Sequence, residues 1–252
     1  MKPSSITSDH YLLAVKRRSS TTDRQEAYPF SLPALRNFHE LVLHPKVTFL
    51  VGENGTGKST LLEGIATAWG FNPEGGSINF RFSTRASHSD LNETLTLVKT
   101  ARRPRDGYFL RAESFYNVAT EIDELDREPG TSRIISSYGG RSLHEQSHGE
   151  SFMALMLHRF GGHGLYLLDE PEAALSPTRQ LAMLARLHEL TALNSQFIIA
   201  THSPILMAYP NSIICQIDET GIHHVDYKST DHYLVMRSFI NHPEQMLEQM
   251  MR

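Results

Sequence analysis

A single cysteine, Cys215, is the whole thiol content of this 252-residue sequence, so no internal disulfide can form. That fits a reducing compartment, with the thiol as a buried small hydrophobe inside the apolar run Ser212-Ile213-Ile214-Cys215-Gln216-Ile217. No stretch approaches the ~18 apolar residues needed to cross a bilayer. The opening Met1-Lys2-Pro3-Ser4-Ser5-Ile6-Thr7-Ser8 lacks the apolar h-region of a secretory signal. These absences predict a cytoplasmic chain without direct membrane insertion; any membrane span would come from another chain. Nor is there an excess of one charge. The 24 Lys and Arg face 28 Asp and Glu, a net −4, so overall charge gives no reason to expect nucleic acid or an anionic membrane as partner. Internal repeats and low-complexity tracts are also missing.

The chain does have enough apolar residues, 40%, for a sizeable core. Its length suits one α/β domain, with or without a small inserted lobe. Residues 1–26 are polar and read as a solvated arm or edge strand. The basic triplet Lys16-Arg17-Arg18 leaves a local nucleic-acid contact as the second reading. Val47–Val51 is a short β-branched run ending in glycine, which predicts a buried parallel strand, and Ser59–Trp69 follows with helical character. Strand-like pieces lie at Ile78–Phe82, Thr94–Val98 and Tyr108–Arg111, with a turn at 103–107. Helices are expected over Ser114–Leu125 and Glu150–Phe160, and strands at Leu165–Leu168, Gln196–Ala200 and Ile213–Ile217. Pro177–Leu193 reads as an amphipathic helix whose inner stripe is Leu181, Leu184, Leu187 or His188, and Thr191. Two C-terminal helices split at His242-Pro243. Strands alternating with helices predict a mainly parallel sheet with helices on both faces.

Two motifs carry chemistry. Gly52-Glu53-Asn54-Gly55-Thr56-Gly57-Lys58-Ser59-Thr60 matches G-x-x-x-x-G-K-[ST]. Glycines let the backbone fold so that its N–H groups point at phosphate oxygens, and the following helix adds its positive dipole end. Lys58 would reach the β- and γ-phosphates, and the Ser59 hydroxyl would ligate magnesium. The bare pattern arises by chance in roughly one chain in a hundred of this length. The flanking strand and helix therefore matter as much as the letters. In the second motif, Asp169 and Glu170 end the apolar strand Leu165–Leu168, where ligands of open α/β sheets bind. Asp169 would partner magnesium, through water or directly, and Glu170 would take a proton from the attacking water. The bland alternative is a strand end whose carboxylate caps a helix.

Taken together, these pieces resemble the ABC-type ATPase superfamily. The closest likeness is to its compact AAA-family branch related to RecF, SMC and OLD proteins. Besides the phosphate loop and the acidic strand, Gln146-Ser147-His148-Gly149-Glu150 stands where the family has Leu-Ser-Gly-Gly-Gln. Ala173-Ala174-Leu175-Ser176 resembles the D-loop, and Thr201-His202-Ser203-Pro204 the H-loop. The four pieces span residues 52–204 in the family's order. The resemblance implies a P-loop NTPase fold: a mainly parallel sheet, a small antiparallel β piece, and a short helical lobe at about 114–160 inserted in a single 1–252 domain. It also implies ATP and Mg2+ as ligands and a homodimer formed on ATP binding, in which Ser147, His148, Gly149 and Glu150 cap the γ-phosphate held by the partner. His202 would contact that phosphate and position the water. An unidentified protein partner would be driven or gated.

His148 and Glu150 depart from the family's glycine and glutamine. No residue stands out as the family's lid glutamine; Glu113 or Ser114 would substitute, with Glu113 a further magnesium contact. Tyr28 or Phe30 would touch adenine, and Arg36-Asn37-Phe38 resembles the basic-aromatic segment of SMC-like proteins; core packing is the alternative for these aromatics. His144-Glu145-Gln146-Ser147-His148 also fits the zinc-protease pattern H-E-x-x-H, but the glycines around it argue against the continuous helix that chemistry needs. Two other functions compete: the ATP-binding subunit of an ABC membrane transporter, and a small-molecule P-loop kinase, which would leave Ser147 and His202 without a purpose.

Overall fold

The computed structural model describes residues 11–18, 28–78, 91–112, 115–126 and 134–251. In chain order the elements are β1 (Leu12–Arg17), α1 (Pro33–Arg36), β2 (Glu40–Val42), β3 (Val47–Gly52), α2 (Lys58–Trp69) and β4 (Gly76–Ser77). Then come α3 (Leu91–Thr94), β5 (Leu95–Lys99), β6 (Asp106–Arg111), α4 (Phe115–Leu125), α5 (His148–Ala154) and β7 (Gly164–Asp169). The chain ends with α6 (Pro177–Ala192), β8 (Gln196–Ala200), α7 (Pro204–Met207), β9 (Ser212–Asp218), β10 (Gly221–Val225), α8 (Asp231–Asn241) and α9 (Pro243–Met250).

Seven strands form one sheet in the order β10-β9-β3-β8-β7-β6-β4. The five inner strands run parallel, and β10 and β4 close the two edges antiparallel. Every residue of β3, β7 and β8 is buried, because helices and a second sheet cover both faces. Strand alternation sorts the side chains onto those faces. Val47, Phe49, Val51, Tyr166, Leu168, Phe197 and Ile199 pack with α4, α5 and α6. Leu50, Leu165, Leu167, Ile198 and Ala200 face the other way, onto α2 and the small sheet. Cys215 lies in this second layer, fully buried, with burial pushing its thiol pKa up to about 12.

The small sheet is antiparallel, in the order β2-β1-β5. Its central strand is β1, which corrects the expectation of a solvated arm or edge strand. The apolar stretch Tyr11–Val15 is short, but Tyr11, Leu12, Ala14 and Val15 are all buried. Its basic flank is engaged locally. Lys16 pairs with Glu40 at 3.1 Å, Arg17 lies 4.3 Å over the Phe30 ring, and Arg18 donates to Thr96 Oγ1 at 3.4 Å. Gln196, the first residue of β8, ties the two sheets together. Its Oε1 accepts from the Tyr11 and Leu12 amides at 3.0 and 2.9 Å, and its Nε2 donates to the Leu12 and His44 carbonyls at 2.7 and 3.1 Å.

Residues 103–107 do not turn back within one sheet. β5 belongs to the small sheet and β6 to the large one, so the segment carries the chain between layers. Of the strand expected at Ile78–Phe82, residues 79–82 lie outside the described residues, and β4 occupies Gly76–Ser77. The helix α5 continues as one wide π turn over Leu155–Arg159. In α6 the buried face is Gln180, Met183, Leu187, Leu190 and Thr191, while Leu181 is 58% exposed. The expected stripe therefore shifts around the helix. Gln180 is drawn inward because its amide donates to Leu175 O at 3.0 Å and its carbonyl accepts from the Ser203 hydroxyl. Among the described residues, no helix is long and apolar enough to cross a membrane.

Candidate functional site

The site lies at the carboxyl ends of β3, β7 and β8. Gly52 ends β3, and Lys58 opens α2. Between them Gly55 and Gly57 adopt φ values of 81° and 97°, the left-handed region that side chains resist. Gly52 has no room either, because a Cβ there would sit 2.4 Å from the Ile217 carbonyl oxygen. The loop closes on itself through Thr56, whose hydroxyl donates to Glu53 O at 2.9 Å. Its exit is braced by the Ala34 amide donating to Thr56 O at 2.9 Å. Asn54 and Thr60 take their positions within this same turn and first helical residues.

Lys58 is 4% exposed and donates to the carbonyls of Gly52 and Glu53, both at 2.9 Å. Burial pulls its ammonium below the ordinary lysine range, against the opposing pull of Glu170, Asp169, Glu53 and Glu172. The Ser59 hydroxyl donates to Asp169 Oδ1 at 2.9 Å. Two hard oxygen donors from different elements thus meet at one point beside a cation, the donor chemistry that suits magnesium completed by phosphate and water.

Glu170 has φ 48° and ψ 52°, a left-handed conformation that is uncommon for a glutamate. Its amide donates to Ala200 O at 2.9 Å, fixing it across the β7–β8 junction. Its carboxylate makes no capping bond to the 3-10 turn Pro171–Ala174, which removes the bland reading for this residue. Instead Oε1 lies 3.5 Å from His202 Nε2. The His202 backbone is held by Glu172, whose Oε1 accepts its N–H. Burial raises the Glu172 carboxyl above the ordinary range, only partly offset by that bond. Burial lowers the His202 imidazole, and the Lys58 charge adds to the effect.

Lys58, Ser59, Asp169, Glu170 and His202 therefore converge. Ser147, His148, Gly149 and Glu150 form a separate patch, and among the described residues no hydrogen bond or ion pair joins them to the phosphate loop. Ser147 caps α5. Its hydroxyl lies 2.8 Å from Glu150 Oε2, which also accepts the Ser147 amide at 3.0 Å, a reciprocal capping box. Glu150 lies 3.6 Å from Arg179. Gly149 is required by packing, since a Cβ would fall 2.3 Å from Arg179 Nη1 and 2.7 Å from Ala174 O. His148 and Glu170 both line a cavity of about 370 Å3, together with Phe115, Phe152 and Ala173. A larger cavity, about 490 Å3 around Tyr209, Asn211 and His224–Tyr227, sits at the start of β9 and holds none of the expected site residues.

Glu113 and Ser114 lie outside the described residues. Phe30 is buried and Phe38 packs beside it, whereas Tyr28 is 68% exposed. His144 and His148 do not share a helix: Leu143–Glu145 is a 3-10 turn and α5 starts afresh at His148. Sequence reasoning missed Glu172 as the holder of His202. It also missed His232, whose Nε2 lies 3.0 Å from His202 Nδ1. Glu172 was within reach as the fourth residue of Asp169-Glu170-Pro171-Glu172. Nothing in the sequence marks His232, thirty residues beyond its partner.

A family model described as "AAA domain" matches residues 30–140, and one described as "AAA domain, putative AbiEii toxin, Type IV TA system" matches residues 117–208. The chain is 28% identical over 172 residues to an ABC transporter G family member, STR2, of Medicago truncatula, covering 63% of the chain and 24% of that protein. The chain thus spans about a quarter of that relative's length. It is 26% identical over 211 residues to a protein described as an ABC transporter ATP-binding protein of Geobacter sulfurreducens, covering 74% of the chain and 70% of the relative. A solved structure described as a metal-chelate type ABC transporter in an inward-facing conformation aligns with a TM-score of 0.49 at 15% identity, over 90% of this chain and 88% of that one.

Proposed function

We infer the chemistry from what the chain is, a P-loop ATPase of the AAA and ABC type. Our reading is that it binds ATP with magnesium on Gly52–Thr60 and hydrolyses it to ADP and phosphate. The observation that carries the reading is the 2.9 Å approach of Ser59 Oγ to Asp169 Oδ1 beside the buried Lys58. In this scheme the loop amides and Lys58 hold the phosphates. Ser59 and Asp169 would hold magnesium, which when bound would neutralise phosphate charge. Glu170 Oε1 takes the proton of the attacking water, and His202, anchored by Glu172, directs its Nε2 toward the same place.

We further propose a two-fold dimer in which the Ser147–Glu150 segment of one protomer, exposed at Ser147, His148 and Glu150, caps the nucleotide of the other. The exposed position of Ser147 at the start of α5 supports this, with its hydroxyl, held by Glu150 in the free protomer, turning to the phosphate on capping. Gln180 supports coupling, since it joins the D-loop carbonyl of Leu175 to Ser203, next to His202. The role would be that of a regulatory or mechanochemical ATPase in the cytoplasm acting on a protein partner. The likeness to two ABC transporter proteins favours a second reading, the ATP-binding subunit of an ABC transporter. That reading requires a membrane-spanning part from outside the described residues. Turnover by the chain alone, unchanged by detergent or lipid, favours the first reading.

Glu170→Gln tests the scheme. It should abolish turnover, retain ATP binding, and trap a dimer visible by light scattering with saturating ATP and magnesium. A variant that stays monomeric under those conditions overturns the dimer, and one that still hydrolyses ATP overturns Glu170 as the base.

A further inference from the structure

The first turn of α8 brings a second histidine onto the candidate catalytic histidine. His202 Nδ1 and His232 Nε2 are 3.0 Å apart, with ring centroids at 5.2 Å and planes inclined by 56°. At that separation one nitrogen donates and the other accepts. The remaining ring nitrogen of His202, Nε2, faces a carboxylate oxygen of Glu170 at 3.5 Å. Were Nε2 bare, its lone pair would confront that oxygen. Nε2 is buried and makes no hydrogen bond among the described residues, so the nearby carboxylate charge is what favours a proton there, leaving Nδ1 as acceptor and His232 as donor.

We propose that His232 is a positioning residue for His202, donating its Nε2–H to His202 Nδ1 and so holding His202 in the tautomer that presents Nε2–H toward Glu170 and the phosphates. This rests on the hydrolytic reading given above. The role needs the backbones that carry both rings to be held. Glu172 anchors the backbone of His202. On the other side Thr230, fully buried, caps α8 by accepting from the Tyr233 amide at 3.3 Å. Asp231 accepts from Gln216 on β9 at 2.9 Å, and the Tyr227 and Tyr233 rings meet at 4.7 Å. The charged groups around the pair are Lys58, Glu170, Glu53 and Asp231. Burial lowers both imidazoles below the ordinary histidine range, so two neutral rings sharing one hydrogen bond are the resting arrangement near pH 7. The outer nitrogen of His232, Nδ1, is buried and makes no hydrogen bond among the described residues, so nothing there competes for its tautomer.

Steady-state turnover of the full chain with magnesium and ATP, for the wild type, His232→Ala, His232→Gln and Glu170→Gln, tests the proposal. His232→Ala should lower kcat about 10- to 100-fold, the usual cost of losing an orienting partner, with KM within about twofold. His232→Gln keeps an N–H donor near the Nε2 position and should recover most of the loss. Unchanged kcat in the alanine variant, a rise in KM alone, or a glutamine variant no better than alanine would each overturn the proposal. Nitrogen NMR of the imidazoles reads the same claim without turnover. His202, assigned by the loss of its signals in His202→Asn, should be the Nε2–H tautomer in the wild type and a mixture in His232→Ala. The same tautomer in both proteins overturns the positioning role. A wild type without ATPase activity, or a Glu170→Gln variant as active as the wild type, instead overturns the hydrolytic reading, and the NMR comparison still decides the role of His232.

Discussion

Gln196→Leu removes the latch between the two sheets while nearly conserving volume. Gln196 is fully buried and makes four hydrogen bonds to backbone groups, at 3.0, 2.9, 2.7 and 3.1 Å. The leucine leaves the Tyr11 and Leu12 amides and the Leu12 carbonyl without that partner in a buried setting; the fourth group, the His44 carbonyl, is only part-buried and is not counted. At about 1 kcal/mol for each stranded group, the low end of the usual range, the loss is about 3 kcal/mol. The extra apolar surface returns about 1 kcal/mol. The net is a destabilisation of about 2 kcal/mol, or a Tm lower by about 4–8 °C for a chain of this size. Far-ultraviolet circular dichroism during urea and thermal unfolding measures both quantities. A change below about 0.5 kcal/mol would show that β1 re-pairs without the side chain, and the account of how the small sheet is held would fail.

Lys58→Ala should remove nucleotide binding measured by calorimetry, because the cation that faces Asp169 and Glu170 is gone; undiminished affinity counts against the loop. Gly149→Ala forces a methyl against Arg179 and the Ala174 carbonyl, and should cost about 1–3 kcal/mol of stability by denaturant unfolding. Its ATP-dependent dimerisation should weaken as well. Asp106→Asn probes a half-buried cluster, where Arg159 lies 2.7 Å from Oδ1 and the Tyr166 hydroxyl donates to Oδ2 at 2.7 Å. Burial alone would raise the Asp106 carboxyl, but Arg159, Tyr166 and the Gly161 amide together hold it below the ordinary range. A depressed carboxylate stabilises the fold above its unfolded pKa and loses that contribution as pH falls through its folded value. The variant should therefore be less stable by about 2 kcal/mol at pH 7, and the gap to the wild type should shrink below about pH 4. A gap that stays constant with pH would refute the charge-pair account.

Much of the sheet was legible because β3, β7, β8 and β9 are continuous apolar runs, and such runs have one home in an α/β fold. The phosphate loop was equally plain, since its glycines answer to backbone needs that no other residue meets. The small antiparallel sheet was expected only through the family resemblance, and β1 as its central strand was not legible, because five apolar residues at Tyr11–Val15 sit among serines, lysines and arginines, and their partners are β2 and β5, far along the chain. The inner face of α6 was misplaced for a related reason. Periodicity weighs Leu181 above Gln180, whereas the fold gives Gln180 two buried partners and Leu181 none. The link from Glu170 through His202 to His232 is tertiary throughout, built from three elements that no spacing rule connects.

The lone thiol supplies a built-in gauge of opening. Cys215 has no solvent contact and a pKa several units above neutrality, so the folded chain offers an alkylating reagent almost no thiolate. Any labelling must pass through molecules in which the layer packed over this face of β9 has opened. The labelling rate therefore counts excursions of that covering layer. Its slowing when nucleotide is added would measure, in the unaltered protein, how firmly an occupied loop clamps the strand on which it is built.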